Sequence, residues 1–258
     1  MTAESQVVLV TGGGSGIGAA VAERLSSTKT VIICGRRLAS LERIAARTGA
    51  VPITADLANP DSVGALIDQL LDRFGRLDGL VLNAGIVAAA PISDMSISDW
   101  NTQITTNLTA PFVTIQKSLP ALLAAKGSVV GISSVAAATT GGGMAGYAAS
   151  KAGFNLLLQT LAFEHARDGL RANIVAPGWV RTEMADAEMA LLGGEDIDAA
   201  YRKVSALVPA RRAADPSEIA DAVAFLLSSQ ASFVNGAILN VDGGGSLVNV
   251  GLTAFDAE

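Results

Sequence analysis

Short apolar runs alternate with longer segments of helical pattern along almost the whole chain, and this alternation constrains the fold more than any other feature. The runs predict strands at Gln6–Val10, Thr30–Cys34, Val51–Thr54, Leu77–Leu82, Ser128–Ser133, Arg171–Val175 and Ala237–Val241. The patterns between them predict helices at Gly16–Ser26, Leu38–Ala46, Pro60–Phe74, Ser98–Thr109, Pro111–Ala125, Tyr147–Arg167 and Pro216–Ser228. Continuous apolar strands between helices are typical of a parallel sheet with both faces covered. The sequence therefore predicts an α/β fold: a doubly wound domain with a parallel seven-stranded sheet.

The size and charge of the chain limit what it can bind. Its 258 residues suffice for one large domain, so residues 1–258 are predicted to form a single unit. Only 16% of the residues are charged and 50% are hydrophobic, which indicates that part of the surface is buried in an oligomer. A net charge of -6 argues against nucleic acid or an anionic membrane as the main partner.

Two residue types that often form metal sites or crosslinks are each present once. Cys34 has no partner for an internal disulfide or a cysteine metal cluster, and its apolar neighbours predict a buried thiol. His165 lies far from any predicted nucleophile or ligand set and is expected on a surface or interface. No metal site is predicted. Because there is neither a signal core nor an apolar stretch of about 18 residues, the chain is expected to be cytoplasmic.

The segment Arg181–Ala210 breaks the alternation, because it is polar and matches no strand. A long insertion beside strand ends is usually a lid or a substrate loop, and residues 181–210 are predicted to have that role. Its acids near Glu188–Asp198 are expected on solvated faces. Its apolar side chains at helical spacing fit either a lid over the substrate or the packing of a surface helix: Met184, Met189, Leu191 and Leu192. The pair Arg211–Arg212 is expected to anchor the return from this segment.

A glycine-rich stretch joins the first predicted strand to the first helix: Thr11-Gly12-Gly13-Gly14-Ser15-Gly16-Ile17-Gly18. Glycines permit a tight turn and a close approach of the backbone to a pyrophosphate. The following helix points free N–H groups and the positive end of its dipole at that anion. No Gly-Lys-Ser/Thr follows, so the stretch predicts a dinucleotide site rather than a triphosphate loop.

The end of the second strand indicates which dinucleotide is bound. An acidic residue about 20 positions past the glycines would bind the ribose 2′-hydroxyl of NAD, but here the chain reads Gly35-Arg36-Arg37. Two arginines can pair with a 2′-phosphate, and this predicts a preference for NADP(H) over NAD(H), with Arg36 as the main contact. The alternatives are two solvated charges at a helix start and an NAD-linked enzyme.

A serine, a tyrosine and a lysine follow one another at a spacing typical of acid–base chemistry. Ser134 precedes Tyr147 by thirteen positions, and Lys151 follows four positions later on the same helix face. A free tyrosine has a pKa of about 10, which is too high for a good base at neutral pH. A neighbouring cation favours the phenolate, so Lys151 is expected to lower the pKa of Tyr147 and make it a general acid and base.

Together these motifs resemble the main branch of the short-chain dehydrogenase/reductase family over almost the whole length. The resemblance is carried by Thr11-Gly12-x3-Gly16-x-Gly18, Asp56-Leu57, Asn83-Ala84-Gly85, Asn107, Ser134, Tyr147-x3-Lys151, Pro177-Gly178 with Thr182, and Val241-Asp242-Gly243-Gly244. It implies a Rossmann-like fold and hydride transfer between a nicotinamide cofactor and a carbonyl or secondary alcohol.

The resemblance also implies roles for individual residues. Asn107, Ser134, Tyr147 and Lys151 form the implied catalytic set. Asp56 is assigned to the adenine end, and the backbone amide of Val180 to the carboxamide. The full set of implied cofactor contacts is Gly12, Ser15, Gly16, Ile17, Gly18, Arg36, Arg37, Asp56, Leu57, Asn83, Ala84, Gly85, Tyr147, Lys151, Pro177, Gly178, Val180 and Thr182.

The substrate and the assembly follow less directly. Apolar residues such as Val87, Val135 and Trp179 suggest an apolar or cyclic ketone, and the resemblance adds a 3-oxoacyl substrate as an alternative. A homotetramer is implied, with a dimer as the alternative, because relatives pack the long helix and the last strand with its tail, Leu247–Phe255, against other subunits. A non-catalytic dinucleotide sensor on the same fold is the less favoured function.

Overall fold

Seven parallel strands form one sheet in the computed structural model, which describes residues 5–193 and 196–248. The strands are β1 (Val7–Thr11), β2 (Thr30–Gly35), β3 (Val51–Thr54), β4 (Gly79–Leu82), β5 (Ser128–Ile132), β6 (Arg171–Pro177) and β7 (Ile238–Val241). Their order across the sheet is β3-β2-β1-β4-β5-β6-β7. The strand order reverses between β1 and β4, which is the switch point where doubly wound sheets bind ligands. The predicted fold class is confirmed.

Helices connect the strands and cover both faces of the sheet. Within the described ranges they are α1 (Gly16–Ser26), α2 (Leu38–Thr48), α3 (Pro60–Phe74), α4 (Ile97–Ile104), α5 (Ala110–Ala124), α6 (Ala145–His165), α7 (Glu183–Gly193), α8 (Ile197–Val204) and α9 (Pro216–Leu227). None of the helices in this part of the chain combines the length and the apolar character that crossing a bilayer requires.

Alternation along each strand divides the core between the two faces of the sheet. On one face, Leu9 and Ile32 pack with Phe154 of α6 and with side chains of α3 and α5. On the other face, Val10 and Ile33 pack with side chains of α1, α2 and α9. The buried thiol of Cys34 is fully enclosed in the first of these layers, and burial raises its pKa to about 12. The thiol is therefore inert near neutral pH, as the sequence predicted.

Local sequence signals fix where several helices begin and end. Asn59 caps α3 by accepting hydrogen bonds from the backbone N–H groups of its first turn, and Pro60 follows at the first helical position. Asp215 and Glu218 form a reciprocal capping box at the start of α9. Arg212 reaches Glu218 at 2.6 Å, so this arginine fixes the return from the inserted segment to α9.

The inserted segment 181–210 is mainly helical. The sequence predicted a substrate loop with helical spacing among its apolar residues and no strand, and α7 and α8 occupy most of it. The two helices pack on each other through Met189, Ala200 and Tyr201, which form a small separate core. Tyr201 donates a hydrogen bond of 2.8 Å to Asp186, and this bond links α8 to α7.

Candidate active site

The carboxyl ends of the strands bring most of the predicted site residues to one edge of the sheet. The glycine loop follows β1, Asn83 to Gly85 follow β4, and Pro177 ends β6. Ser134 lies just beyond β5, in extended backbone that caps a short 3₁₀ turn. Asp56 and Leu57 follow β3 and lie apart from the other groups, beyond the arginines that follow β2. This is the edge at which an open parallel sheet binds its ligand.

The glycine loop has the geometry of an anion cradle. Gly12 adopts a φ of +65°, and a Cβ at Gly18 would lie 2.3 Å from the carbonyl oxygen of Gly12. The loop therefore turns tightly against the start of α1, where free N–H groups point outward. Asn83 secures the turn, because its side-chain amide donates to the carbonyls of Thr11 and Gly12 at 2.9 and 3.2 Å.

The two arginines after β2 differ in their surroundings. Arg36 is exposed and makes no hydrogen bond or ion pair with any other described residue. Arg37 lies 4.0 Å from Glu183 at the start of α7, and Arg43 lies 3.6 Å from the same carboxylate. Arg36 is therefore the arginine that is free to meet an incoming phosphate, while Arg37 shares Glu183 with Arg43.

A cavity of about 480 Å³ opens beside the glycine loop. The predicted site residues that line it are Ser15, Gly16, Ile17, Asn83, Ala84, Gly85, Ser134, Tyr147, Lys151, Pro177, Gly178, Val180 and Thr182. The remaining predicted residues lie outside its wall: Gly12 and Gly18 in the glycine loop, Asn107 behind the wall, and Arg36, Arg37, Asp56 and Leu57 after β2 and β3.

Tyr147 and Ser134 both line this cavity. Tyr147 lies in the first turn of α6, and its phenol lies close to the hydroxyl of Ser134. Burial raises the pKa of Tyr147, the Ser134 hydroxyl acts in the opposite direction, and the charge of Glu188 raises it further. The phenol therefore keeps its proton at neutral pH and can donate it.

Lys151 is almost fully buried one turn further along α6. Its ammonium donates a hydrogen bond of 2.8 Å to the carbonyl of Ile132 and lies 5.7 Å from the centre of the Tyr147 ring. Burial lowers the pKa of Lys151 to about 8. The expected lowering of the tyrosine pKa by this lysine is wrong for the protein alone, because burial raises the pKa of the phenol. The lysine itself is the group brought near neutral pH.

Asn107 lies behind the lysine in a widened helical turn. Residues Thr105–Thr109 form a π-helical turn between α4 and α5, a distortion that is frequent at functional sites. The buried Asn107 amide accepts from the N–H of Ile86 at 2.9 Å and donates to Ser150 at 3.1 Å. Gly85 separates this amide from the lysine: a Cβ there would lie 3.3 Å from Asn107 Oδ1 and 3.5 Å from Lys151 Nζ.

Helix α7 closes the far side of the cavity, and its side chains divide between two roles. Met184 lines the cavity, whereas Met189 is fully buried against α8 and Leu191 and Leu192 face outward. Both alternatives, a lid over the cavity and the packing of a surface helix, are therefore partly right. The expectation of a solvated Glu188 is wrong: this carboxylate is half-buried in the cavity wall, because α7 turns that face inward. The sequence spacing from Met184 to Glu188 is the signal that could have found it.

Ser133 is a further polar residue of the site, which the sequence analysis did not identify. Its hydroxyl is buried, lines the cavity and has no hydrogen-bond partner among the described residues. It adds one polar group to a wall that is otherwise formed by Ile132, Val135 and other apolar side chains on this side. The assembled groups can donate a proton to a carbonyl oxygen, hold that oxygen, and exchange the proton with a buried lysine.

Comparison with known proteins agrees with this geometry. The chain matches a family described as enoyl-(acyl carrier protein) reductase over residues 12–246. It is 37% identical to cis-4-hydroxycyclohexanecarboxylate dehydrogenase of Sinomonas cyclohexanicum, over 93% of this chain and 96% of the relative. It is 35% identical to the 3-oxoacyl-[acyl-carrier-protein] reductase FabG of Vibrio cholerae, over 95% of this chain and 98% of the relative. The solved structure of a variant of actinorhodin polyketide ketoreductase with NADPH is similar at a TM-score of 0.90 and 32% identity, covering 95% of this chain and 98% of that one.

Proposed function

Because the chain belongs to the short-chain dehydrogenase/reductase family, we propose that it is an NADP(H)-dependent oxidoreductase that interconverts a ketone and a secondary alcohol. The observation that carries this proposal is that Ser134, Tyr147 and the buried Lys151 line one cavity, with the Ser134 hydroxyl close to the phenol. A protein that only sensed the dinucleotide would have no need of a phenol, a hydroxyl and a buried lysine together in that cavity.

In this proposal the protein handles the proton and the oxygen of the substrate. When bound, the cofactor supplies a hydride to the carbonyl carbon, or takes one from the alcohol. Tyr147 donates its proton to the carbonyl oxygen, and Ser134 donates a hydrogen bond to the same oxygen. Two donors aimed at a developing alkoxide stabilise the transition state by several kcal/mol, on the order of 3 kcal/mol for each donor. The raised pKa keeps the buried phenol protonated, which is the form that donates a proton when a ketone is reduced.

Lys151 restores the proton that Tyr147 gives up. A lysine whose pKa is about 8 exchanges its proton readily near neutral pH, which an exposed lysine does not. Asn107 lies on the other side of Gly85 and continues the path toward Ser150. Oxidation of an alcohol uses the same groups in the reverse order and is favoured by high pH, because the phenol must first lose its proton.

The residues after β1 and β2 fit NADP(H). A Cβ at Gly18 would lie 2.3 Å from the carbonyl oxygen of Gly12, so the tight turn that brings the loop onto the start of α1 requires glycine there. The unpaired Arg36 supports a 2′-phosphate contact, because an exposed guanidinium can bind it in a bidentate way. The similarity to a ketoreductase solved with NADPH supports the same choice. An NAD-linked alcohol dehydrogenase is the alternative.

A homotetramer fits the surface of the described part of the chain. Phe112 of α5 and Phe163 and Leu156 of α6 are largely exposed side chains on neighbouring helices, and Ile238 and Leu239 are partly exposed on the edge strand β7. Large exposed apolar patches usually mark interaction surfaces. The part of the proposed interface in residues 249–255 lies outside the described residues.

The oxidation of NADPH and of NADH with a panel of ketones, diketones and 3-oxoacyl thioesters tests the proposal. We expect faster turnover with NADPH, and Tyr147→Phe is expected to lose nearly all turnover while keeping its affinity for NADPH. The phenylalanine keeps the ring in place, so fluorescence titration of NADPH serves as the control for folding and binding. Retained turnover in this variant would exclude the proposed role of the phenol.

A further inference from the structure

The charged groups around the cavity are few and differ in whether they have partners. Lys151, Glu183 and Glu188 are the charged side chains in the cavity wall of the described chain. Lys151 donates to the carbonyl of Ile132, and Glu183 lies 3.6 Å from Arg43. Glu188 makes no hydrogen bond or ion pair with any described residue. It is the charged group of this wall that a ligand would be able to pair with.

The surroundings of Glu188 make an unpaired carboxylate costly. Its neighbours one helical turn away on α7 are Met184 and Ala185, and Met144 and Trp179 also line the cavity. This partly apolar wall desolvates the carboxylate, which raises the pKa of Glu188 above its ordinary value. A half-buried charge without a partner is unfavourable, and a ligand that donates a hydrogen bond to it removes that cost.

Glu188 also lines the same cavity as the catalytic pair. Its negative charge is close enough to Tyr147 to raise the pKa of the phenol. A substrate whose carbonyl oxygen binds at Tyr147 therefore has other atoms close enough to this carboxylate to interact with its charge. Two unit charges about 5 Å apart in a partly buried site interact by about 3 kcal/mol, which is enough to decide between substrates of opposite charge.

We propose that Glu188 determines substrate specificity by accepting a hydrogen bond from a positively charged amine or a hydroxyl group that the ketone carries away from its carbonyl. The same carboxylate repels substrates with an anionic group there. This inference rests on the proposed oxidoreductase function and adds the substrate class. It sets the chain apart from its 37% identical relative, whose name gives a carboxylate as the substrate.

Four ketones with the same ring and carbonyl test the inference: 4-(dimethylamino)cyclohexanone, 4-hydroxycyclohexanone, 4-methylcyclohexanone and 4-oxocyclohexanecarboxylate. The quantity measured is kcat/KM at pH 7 with saturating NADPH. We expect the amine to exceed the carboxylate by about tenfold or more, with the hydroxyl compound between them and above the methyl compound. A carboxylate that reacts as well as the amine would overturn the proposal.

Glu188→Gln keeps the size of the side chain and removes its charge, so the amine-to-carboxylate ratio is expected to fall to about threefold or less. Glu188→Lys is expected to invert the order. Glu164→Gln, an exposed change of the same charge on α6, is the matched control and is expected to keep the wild-type ratio. An unchanged ratio in Glu188→Gln would also overturn the proposal.

Failure of this inference and failure of the proposed function give different results. Turnover of the neutral hydroxyl and methyl compounds without any charge preference leaves the reductase and removes the role of Glu188. If none of the four ketones reacts, calorimetric titration of the wild-type protein with cyclohexylamine and with cyclohexanecarboxylate replaces the rates. Tighter binding of the amine, abolished in Glu188→Gln, supports the inference, and equal binding of the two refutes it.

Discussion

The burial of a single lysine destabilises the folded protein and serves the proposed chemistry. Lys151 is held among apolar side chains by one hydrogen bond to the carbonyl of Ile132. Burial lowers its pKa from 10.5 to about 8, so the charged form is less favourable in the folded protein than in the unfolded chain. Because the folded protein binds this proton more weakly, the penalty is fully present below pH 8 and disappears as the pH rises through 10.5.

Lys151→Met is therefore expected to stabilise the protein while abolishing turnover. A shift of this size corresponds to about 3 kcal/mol, and the lost hydrogen bond offsets about 1 kcal/mol, which leaves a gain of about 2 kcal/mol at pH 7. Melting temperatures of the two proteins at equal concentration, at pH 7 and above pH 10.5, measure it. The gain should vanish at the higher pH, and a lower melting temperature of the variant at pH 7 would contradict the argument.

Arg36 is the residue on which the choice between the two cofactors depends. Its guanidinium has no partner among the described residues. Arg36→Ala is expected to raise the KM for NADPH by about tenfold or more and to leave the KM for NADH unchanged, because a charge-assisted hydrogen bond contributes about 2 kcal/mol.

Arg47→Ala is the matched control for this change. Arg47 is also exposed, but it lies near the C-terminal end of α2 and forms an ion pair of 2.9 Å with Glu23 of α1. Steady-state kinetics with each cofactor measure the effect. An equal rise in KM for both cofactors would show that Arg36 acts on the common part of the dinucleotide instead.

Residue types and spacings predicted much of the candidate site, but not how the side chains are solvated. Ser134 and Tyr147 were paired from their separation alone, and the structure places both in the wall of one cavity. The direction of the tyrosine pKa was missed because burial is a property of the packed fold. Glu188 was missed for the same reason: its exposure depends on which face α7 turns toward the sheet. The roles assigned to the individual cofactor contacts stay predictions.

At the scale of elements, the strands were the easiest parts to predict. Each is a continuous apolar run, and their parallel pairing follows from the helices between them. The inserted segment was harder, because α7 and α8 are short and lie only three residues apart in the sequence, with Gly193-Gly194 at the end of the first. Their helical form depends on contacts between the two, such as Tyr201 with Asp186, rather than on a strong pattern in either.

Tyr201→Phe is expected to loosen the inserted segment 181–210, the predicted lid, without touching the catalytic groups. The buried phenol donates to Asp186 at 2.8 Å, and the Arg181 guanidinium lies 4.6 Å from its ring centre. Losing the hydrogen bond costs about 1 kcal/mol, so KM for the ketone should rise several-fold while kcat changes less than about twofold.

Thr48→Val provides the comparison for the lid variant, because it removes a hydrogen bond of 2.8 Å to Ile44 at the far edge of the sheet. Steady-state kinetics of both variants with one ketone measure the difference. A fall in kcat with an unchanged KM in Tyr201→Phe would place Tyr201 in the chemical step and not in the lid.

At the scale of the whole molecule, the described part of the chain leaves apolar side chains of α5 and α6 exposed. Phe163 is 88% exposed and Leu156 is 66% exposed, although both lie on the long helix that carries Tyr147. A subunit interface over this helix would stabilise the backbone of the catalytic residues. Assembly and activity are therefore expected to be coupled.

Replacing both Leu156 and Phe163 by Glu is expected to convert a tetramer to dimers, because two charges cannot be buried unpaired in that interface. Light scattering measures the mass. Gln69→Glu, an exposed position on α3, is the charge control and should leave the mass unchanged. A wild-type mass equal to one chain would reject the assembly altogether.

All of the proposed chemistry lies at the carboxyl ends of the strands. The opposite end of the sheet is formed by turns such as the one at Ser27 and Thr28, before β2. The sole thiol of the chain, Cys34, is enclosed and inert. A cysteine introduced at the exposed Ser27 would therefore be the one reactive handle for a maleimide. The protein could be attached to a solid support in a uniform orientation, with its cavity facing the solution and its catalytic residues unmodified.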